Sequence, residues 1–156
     1  MSARSKARKR ALDMLYQADL REESLGEIVQ AEAKRAAGEA DRLASWMYAR
    51  EIVDGVDDHR AEIDELIATY AHGWSLERMP AIDRAILRLS SWEILHNPEI
   101  PAAVAIDEGI ELAKSLSTED SAKFVNGVLG KIAQHGDAGR PAPASEAPAA
   151  EAPAAE

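Results

Sequence analysis

Residues 101–132 read PAAVAIDEGIELAKSLSTEDSAKFVNGVLGKI, and two helical patterns meet in this stretch at a polar turn. Before the turn, Ile106, Ile110 and Ala113 recur at the spacing of one helix face. After the turn, a second apolar run contains Val125, Val128, Leu129 and Ile132. The stretch therefore predicts a helical hairpin whose two apolar faces must be covered by the rest of the chain.

The polar turn consists of residues 117–120, Ser-Thr-Glu-Asp. Ser117 followed by Asp120 three residues later is close to a capping box, in which a side-chain oxygen accepts a hydrogen bond from the first turn of a helix. Acidic side chains in a first turn also interact favourably with the helix dipole. The pattern predicts Ser117 as the N-cap of the second helix.

The rest of the chain also favours helices. Ala, Leu, Glu, Lys and Arg are abundant and strand patterns are almost absent, which indicates an all-α bundle. Together with the hairpin the pattern gives about seven helices, and the other five are expected near residues 2–20, 25–37, 41–56, 63–70 and 80–96.

The helix that follows Pro80 is apolar nearly all round, which is typical of the buried centre of a bundle. Proline suits the first turn of a helix because its missing N–H donor is not needed there. Arg84 and Arg88 lie one turn apart on this helix. We expect Arg88 to form an internal ion pair that fixes helix packing.

Composition limits the class of protein. The 156 residues suffice for one domain with a real core, and the chain has no cysteine for disulfides, thiolate metal sites or a cysteine nucleophile. No apolar run approaches the roughly 18 residues of a membrane span, and the N-terminus lacks the apolar segment of a secretory signal. We expect a cytoplasmic protein with a domain over residues 1–136 and a disordered, Ala/Pro-rich tail over residues 137–156.

Charge is divided unevenly along the chain. The net charge is −10, but residues 1–10 contain five basic side chains and no acid, so a local +5 precedes a remainder of −15. A basic arm attracts phosphate, while an acidic body attracts a basic protein. The division predicts two partners of opposite charge, although a solvated basic face with no ligand is the plainer alternative.

Three segments in order resemble the NusB family of transcription antitermination factors. They are ALDMLYQADL, LERMPAIDRAILRLSSWEIL and AIDEGIELAKSLSTEDSAKFVNGVL, at residues 11–20, 76–95 and 105–129. The resemblance covers most of residues 4–134. Gly109 departs from it, since alanine is usual there; we expect the glycine to weaken its helix by about 1 kcal/mol, and the departure puts none of the proposed contacts to RNA or protein in doubt.

The resemblance implies a fold and a set of partners. Two packed three-helix subdomains are expected, in a protein that is not an enzyme and needs no cofactor. The implied function is binding of single-stranded boxA RNA together with the small-subunit ribosomal protein NusE, which promotes processive transcription of ribosomal RNA operons. Other Nus factors and RNA polymerase would join the larger complex, and a homodimer is also open.

The resemblance and the basic arm together assign RNA-contacting residues. Phosphates are expected at Arg4, Lys6, Arg8, Lys9 and Arg10, while Tyr70, Lys123 and Phe124 are expected to contact bases or backbone. From the residues alone, Phe124 is either a core side chain or a platform for an unpaired base. The resemblance favours the platform. Tyr16 has the same ambiguity and is assigned to the core.

The acidic body supplies the expected contacts to the basic protein partner. Glu77, Asp83 and Asp120 stand next to apolar residues, and charge complementarity of this kind speeds association. The dipeptide Asn126-Gly127 often forms a hairpin turn, yet here it interrupts apolar residues at helical spacing. We expect it inside a helix, where it marks close packing or contact with a ligand.

Three alternatives remain for the function. Glu93 and His96 have the Glu-x-x-His spacing of di-metal bundles, but no second such pair exists, so no metal ligand is expected. NusB-like domains also occur fused to RNA cytosine methyltransferases, for which this chain has no cofactor domain. The third alternative is a protein-interaction scaffold that does not itself bind RNA.

Overall fold

The computed structural model describes residues 2–38 and 40–139, which form seven α-helices and no strand. The helices are α1 (Ala3–Arg21), α2 (Leu25–Ala37), α3 (Ala40–Asp58), α4 (Arg60–Tyr70), α5 (Ala81–His96), α6 (Ala102–Leu116) and α7 (Glu119–Gly139). A 3-10 turn at Leu76–Arg78 lies between α4 and α5. Within the described ranges no helix is both long and apolar enough to cross a membrane. The predicted all-α class and helix number are confirmed.

The helices form two packed groups. Helices α1, α2 and α3 contact one another, and so do α5, α6 and α7. Helix α4 packs against α5 and α7 and so adds to the second group. Helix α5 also contacts α1 and α3, which joins the two groups into one core. The structure thus has two packed groups, as the resemblance implies, with α4 as a fourth helix of the second group.

Helix α5 is the centre of this core. Every residue from Ala85 to Ile94 is buried, as its apolar pattern predicts. The Arg88 guanidinium donates two hydrogen bonds to Asp64, at 2.8 and 3.0 Å, and lies 3.6 Å from an Asp19 oxygen. Arg88 therefore forms the expected internal ion pair, which ties α5 to α4 and α1.

The N-cap residue of α7 lies one position after the predicted one. Thr118 is the capping residue, because its Oγ1 accepts a hydrogen bond from the Ser121 backbone N–H at 3.0 Å. Ser117 donates its hydroxyl proton instead to an Asp83 oxygen at 2.8 Å. The side chain of Ser117 is committed to α5, so it is not available to cap α7.

Two glycines allow helices to approach closely. A Cβ at Gly55 in α3 would lie 2.0 Å from Nε1 of the buried Trp92, and a Cβ at Gly109 in α6 would lie 2.7 Å from Ser90 Oγ and 3.1 Å from Leu129 Cδ1. Gly109 therefore has a packing role, because this position sets how closely α6 packs on α5 and α7. The predicted tail, 137–156, starts within α7, and its residues 140–156 lie outside the described part of the chain.

Candidate nucleic-acid interface

The basic side chains at the start of α1 point in two directions. Lys6 and Lys9 are exposed and Arg10 is half-buried, and within the described ranges none of the three forms an ion pair with an acidic side chain. Arg4 and Arg8, one turn apart, face carboxylates of the second subdomain instead. The five predicted phosphate contacts therefore do not form one uniform strip.

Arg8 is the clearest correction to the predicted phosphate-binding residues. Its side chain is 3% exposed, and its Nε donates to both carboxylate oxygens of Glu93, at 3.0 and 2.9 Å. Its NH1 lies 3.4 Å from Glu108. A cation enclosed in this way cannot reach a phosphate, so Arg8 is a core residue that ties α1 to α5 and α6.

Glu93 is fully buried and is satisfied from two sides, since Tyr48 also donates its hydroxyl proton to the carboxylate. Burial raises the pKa of Tyr48, and the hydrogen bond and negative charge of Glu93 raise it further. Burial lowers the pKa of Arg8, but hydrogen bonding and attraction to Glu93 outweigh it, so the net direction is upward. Arg8 therefore remains charged, and Tyr48 neutral, over the physiological range.

Arg4 keeps its solvent access. One guanidinium nitrogen lies 3.2 Å from Glu99, with the two side chains 51% and 75% exposed, and the guanidinium carbon lies 5.6 Å from the centre of the Tyr48 ring. An ion pair this exposed contributes little stability and is readily exchanged for a phosphate. Arg4 therefore remains a candidate contact beside Lys6, Lys9 and Arg10.

A cleft runs along the free side of the arm. We call it the arm groove; its volume is about 590 Å³, and it is lined by Lys9, Arg10, Leu12, Asp13, Tyr16, Ile82 and Leu116. Tyr16 was expected in the core but is half-buried and reaches this cleft. The groove combines two cations with an aromatic ring and an apolar floor, a combination suited to a nucleotide or to a partner's side chains.

A second cleft brings together the predicted base-contacting residues. We call it the aromatic groove; its volume is about 400 Å³, and it is lined by Tyr70, Ala71, His72, Trp74, Lys123, Phe124, Gly127, Val128 and Lys131. The rings of Trp74 and Phe124 lie 5.7 Å apart, and Tyr70 contacts His135 edge-on at 6.4 Å. Aromatic faces flanked by lysines are the elements that bind unpaired bases and their phosphates.

The aromatic groove contains residues that sequence reasoning missed. Trp74 lies in the connector after α4 and is 51% exposed, an unusual position for a large aromatic side chain in a monomer. Lys131 lies eight residues, about two turns, after Lys123 on α7, so the two ammonium groups share one side of that helix. A tryptophan in a connector and a lysine at helical spacing from Lys123 were both visible in the sequence, but only folding places them beside Tyr70.

The Asn126-Gly127 dipeptide lies inside α7, as expected. A Cβ at Gly127 would have nothing within 4 Å, so close helix packing does not explain this glycine. Gly127 lines the aromatic groove instead, where the absence of a side chain keeps the cleft open. Of the two expectations for the dipeptide, the ligand-contact interpretation is the one that fits its position.

The three predicted partner-binding acids separate into two kinds. Glu77 in the 3-10 turn and Asp120 in the first turn of α7 are exposed. Asp83 is only 3% exposed and accepts hydrogen bonds from Ser117 Oγ at 2.8 Å and Ser121 Oγ at 2.7 Å. A carboxylate in this position cannot dock a basic protein directly; it holds the α6–α7 turn against α5.

Known proteins similar to this chain come from one family. The NusB family model matches residues 5–134. A transcription antitermination protein NusB from Leifsonia xyli subsp. xyli is 63% identical over 135 residues, which are 86% of this chain and 94% of that protein. A protein of the same description from Clavibacter sepedonicus is 61% identical over 133 residues, 85% of this chain and 97% of its own length.

Solved structures agree with these relatives. NusB of T. maritima superimposes with a TM-score of 0.74 at 39% identity, over 84% of this chain and 90% of that one. NusB in a complex of the antitermination factors NusB and NusE with double-stranded RNA gives a TM-score of 0.74 at 31% identity. The match covers 86% of this chain and 98% of that one. This chain belongs to the NusB family, whose members are RNA-binding transcription antitermination factors and not enzymes.

Proposed function

We propose that this chain binds single-stranded boxA RNA jointly with the ribosomal protein NusE and so promotes processive transcription of ribosomal RNA operons. The observation that carries the proposal is the aromatic groove, in which Tyr70, Trp74 and Phe124 stand beside Lys123 and Lys131. A related NusB was solved together with NusE and double-stranded RNA, which supports NusE and RNA as the two classes of partner. Action on nascent transcripts implies a cytoplasmic location, with other Nus factors and RNA polymerase in the larger complex.

Each surface has its own task in this proposal. Arg4, Lys6, Lys9 and Arg10 neutralise phosphates and supply affinity with little base preference. The rings of Tyr70, Trp74 and Phe124 stack on splayed bases, while the two lysines of the groove hold the backbone between them. Arg8 contributes indirectly, because its buried pair with Glu93 fixes the position of α1.

NusE docks on the acidic body. Glu77 and Asp120 are exposed, and the buried carboxylate of Asp83 positions the α6–α7 turn from which Asp120 follows. Leu116, 44% exposed at the end of α6, adds an apolar contact to the same region and also lines the arm groove. A partner that covers Leu116 would therefore sit beside the RNA-binding arm, which explains how two partners bind jointly.

Self-association is the second candidate. Leu43, Met47 and Leu20 are 49%, 65% and 59% exposed on α3 and α1, outside both grooves. Exposed apolar side chains of this size are often covered by a partner. A scaffold built on these contacts would need no RNA, so the RNA measurement also decides between the two functions.

The test is fluorescence anisotropy of a short boxA-like single-stranded RNA, with and without NusE. We expect Phe124→Ala to weaken binding by about 1–3 kcal/mol, the cost of one lost stacking contact. Met47→Ala, which also removes an exposed apolar side chain, should leave RNA affinity unchanged. Absence of RNA binding at micromolar protein in both states, or equal losses in the two variants, would refute the proposal.

A further inference from the structure

Three metal-ligating side chains converge on the side of the molecule where α4 begins and α5 ends. Glu62 Oε1 lies 2.7 Å from His96 Nε2 and 3.7 Å from His59 Nδ1. One ligand atom from each residue lies within 4.8 Å of the other two. The two imidazole rings are stacked, with their centres 3.7 Å apart and their planes 13° apart. We call these three residues the His-Glu-His cluster.

The fold brings the three residues together from two elements. His59 is the residue just before α4, and Glu62 follows three positions later, so both side chains lie on one side of the first turn. His96 is the last residue of α5, which packs against α4. The cluster therefore spans the α4–α5 contact, and its ligands are 34 residues apart in sequence.

No cation competes for the carboxylate. Within the described ranges Glu62 makes no ion pair with lysine or arginine, since the neighbouring Arg60 and Arg88 both pair with Asp64. Among the described side chains, the two imidazoles are the groups within ion-pair distance of Glu62. Two imidazoles and one carboxylate are side chains of the types that bind zinc in proteins.

We propose that the His-Glu-His cluster is a zinc-binding site. Tetrahedral zinc takes imidazole nitrogen and carboxylate oxygen at about 2.0–2.2 Å, which places its ligand atoms about 3.3–3.6 Å apart. The separations of 2.7 and 3.7 Å from Glu62 lie on either side of this range. Because the two rings are stacked, at least one imidazole must rotate out of the stack for both nitrogen lone pairs to point at one metal. His59 and Glu62 are 41% and 51% exposed, which leaves room for a water as the fourth ligand.

Zinc would act as a clip between α4 and α5. Its ligands fix the junction between α3 and α4, where His59 separates the two helices, to the end of the central helix. Glu93, the other half of the Glu-x-x-His pair in the sequence, takes no part, because its carboxylate is buried with Arg8 and Tyr48. The proposal therefore departs from the sequence expectation of no metal ligand: His96 takes part with Glu62 and His59 instead of with Glu93.

The first test is calorimetric titration of the untagged full-length chain with zinc chloride near neutral pH, where imidazole is largely neutral and able to bind metal. We expect one zinc per chain. Glu62→Gln and His96→Gln should each weaken binding at least about tenfold, the loss typical even of outer partners of a metal site. His72→Gln removes an exposed histidine outside the cluster and should leave the affinity unchanged.

A second measurement guards against variants that fold poorly. Because zinc binds the folded chain, it should raise the Tm of the unaltered protein and of His72→Gln by more than that of Glu62→Gln. Circular dichroism establishes that each variant is helical before titration. Absence of stoichiometric binding to the unaltered chain, or equal affinity in all variants, would overturn the assignment of this site.

Discussion

At the residue scale, the buried pair of Arg8 and Glu93 shows how one interaction decides which basic side chains remain for a ligand. Arg8 lies between Ala7 and Lys9 in a run of basic residues, and composition alone gives it the same role as its neighbours. Its partner lies 85 residues later in the chain. Only the packing of α1 against α5 separates a buried cation from an exposed one.

Removal of Arg8 should be costly. Arg8→Ala leaves the carboxylate of Glu93 buried without its cation, which typically destabilises a protein by about 3–5 kcal/mol. Urea unfolding followed by circular dichroism measures this loss. Lys9→Ala is the control: its side chain is exposed, and its free energy of unfolding should change by no more than about 0.5 kcal/mol. Equal effects of the two substitutions would contradict the assignment of Arg8 to the core.

Tyr48 gives a prediction on pH. Its folded-state pKa is raised by burial and by Glu93, so above the unfolded-state pKa of about 10 the unfolded chain loses a proton that the folded chain keeps. The stability that Tyr48 contributes is therefore present below about pH 10 and declines as the pH rises. The stability difference between the unaltered protein and Tyr48→Phe should shrink from about pH 8 to pH 11.

The matched control for this prediction is Tyr16→Phe, because Tyr16 lies outside the Arg8–Glu93 network. Urea unfolding of the three proteins at each pH gives the comparison. A difference between the unaltered protein and Tyr48→Phe that stays constant across the range would show that Glu93 does not hold the Tyr48 proton in the folded state.

The candidate site was predictable where its residues are close in sequence or belong to one helix face. Lys123 and Phe124 are adjacent, and the resemblance adds Tyr70; all three line the aromatic groove. The sequence could not show that Asp83 is buried while Glu77 is exposed. Asp83 is covered by two serines from another part of the chain, Ser117 and Ser121. Their hydrogen bonds to Asp83 exist only after α6 and α7 have packed.

At the element scale, helix existence followed from apolar periodicity, and helix ends followed from capping chemistry. The prediction for α2 agrees with the structure at both ends, Leu25 and Ala37, because Ser24 and Gly38 flank it. The boundary between α3 and α4 was less certain. The acidic residues Asp57 and Asp58 belong to α3, and the break is confined to His59, whose backbone leaves the helical region at φ −113°.

The contact between α3 and α5 carries a sharp prediction. Gly55→Ala would place a Cβ 2.0 Å from the indole nitrogen of Trp92, a buried side chain that has little room to move. Overpacking of this kind costs typically about 1–3 kcal/mol, which exceeds the gain of about 1 kcal/mol from replacing glycine in a helix. Thermal unfolding should show a lower Tm.

Gly130→Ala tests the same substitution without the clash. Its Cβ has nothing within 4 Å in α7, so helix propensity alone should act, and we expect a gain of up to about 1 kcal/mol in stability. The two glycines look alike in the sequence. A stabilised Gly55→Ala protein would show that Trp92 moves aside and that this helix contact is looser than the structure indicates.

At the scale of the whole molecule, the basic arm predicted from the sequence is present, but fewer of its side chains are available to a ligand. Residues 1–10 carry +5 against a total of −10. Folding removes Arg8 from this arm and pairs Arg4 with Glu99, which leaves Lys6, Lys9 and Arg10 as unpaired cations among the described residues. Binding of RNA by a chain with this net charge must therefore rest on a few local contacts that overcome the repulsion from a strongly acidic background.

The salt dependence of RNA binding measures those contacts. The logarithm of affinity falls with the logarithm of salt concentration, by about 0.7 for each single-strand phosphate that is neutralised. Lys6→Gln/Lys9→Gln should therefore reduce the slope by about 1.4 and weaken binding to all RNA sequences alike. Lys34→Gln/Lys114→Gln removes two exposed cations from α2 and α6, changes the net charge equally, and should leave the slope unchanged. If both pairs reduced the slope by the same amount, the overall charge of the molecule, rather than the arm, would control RNA binding.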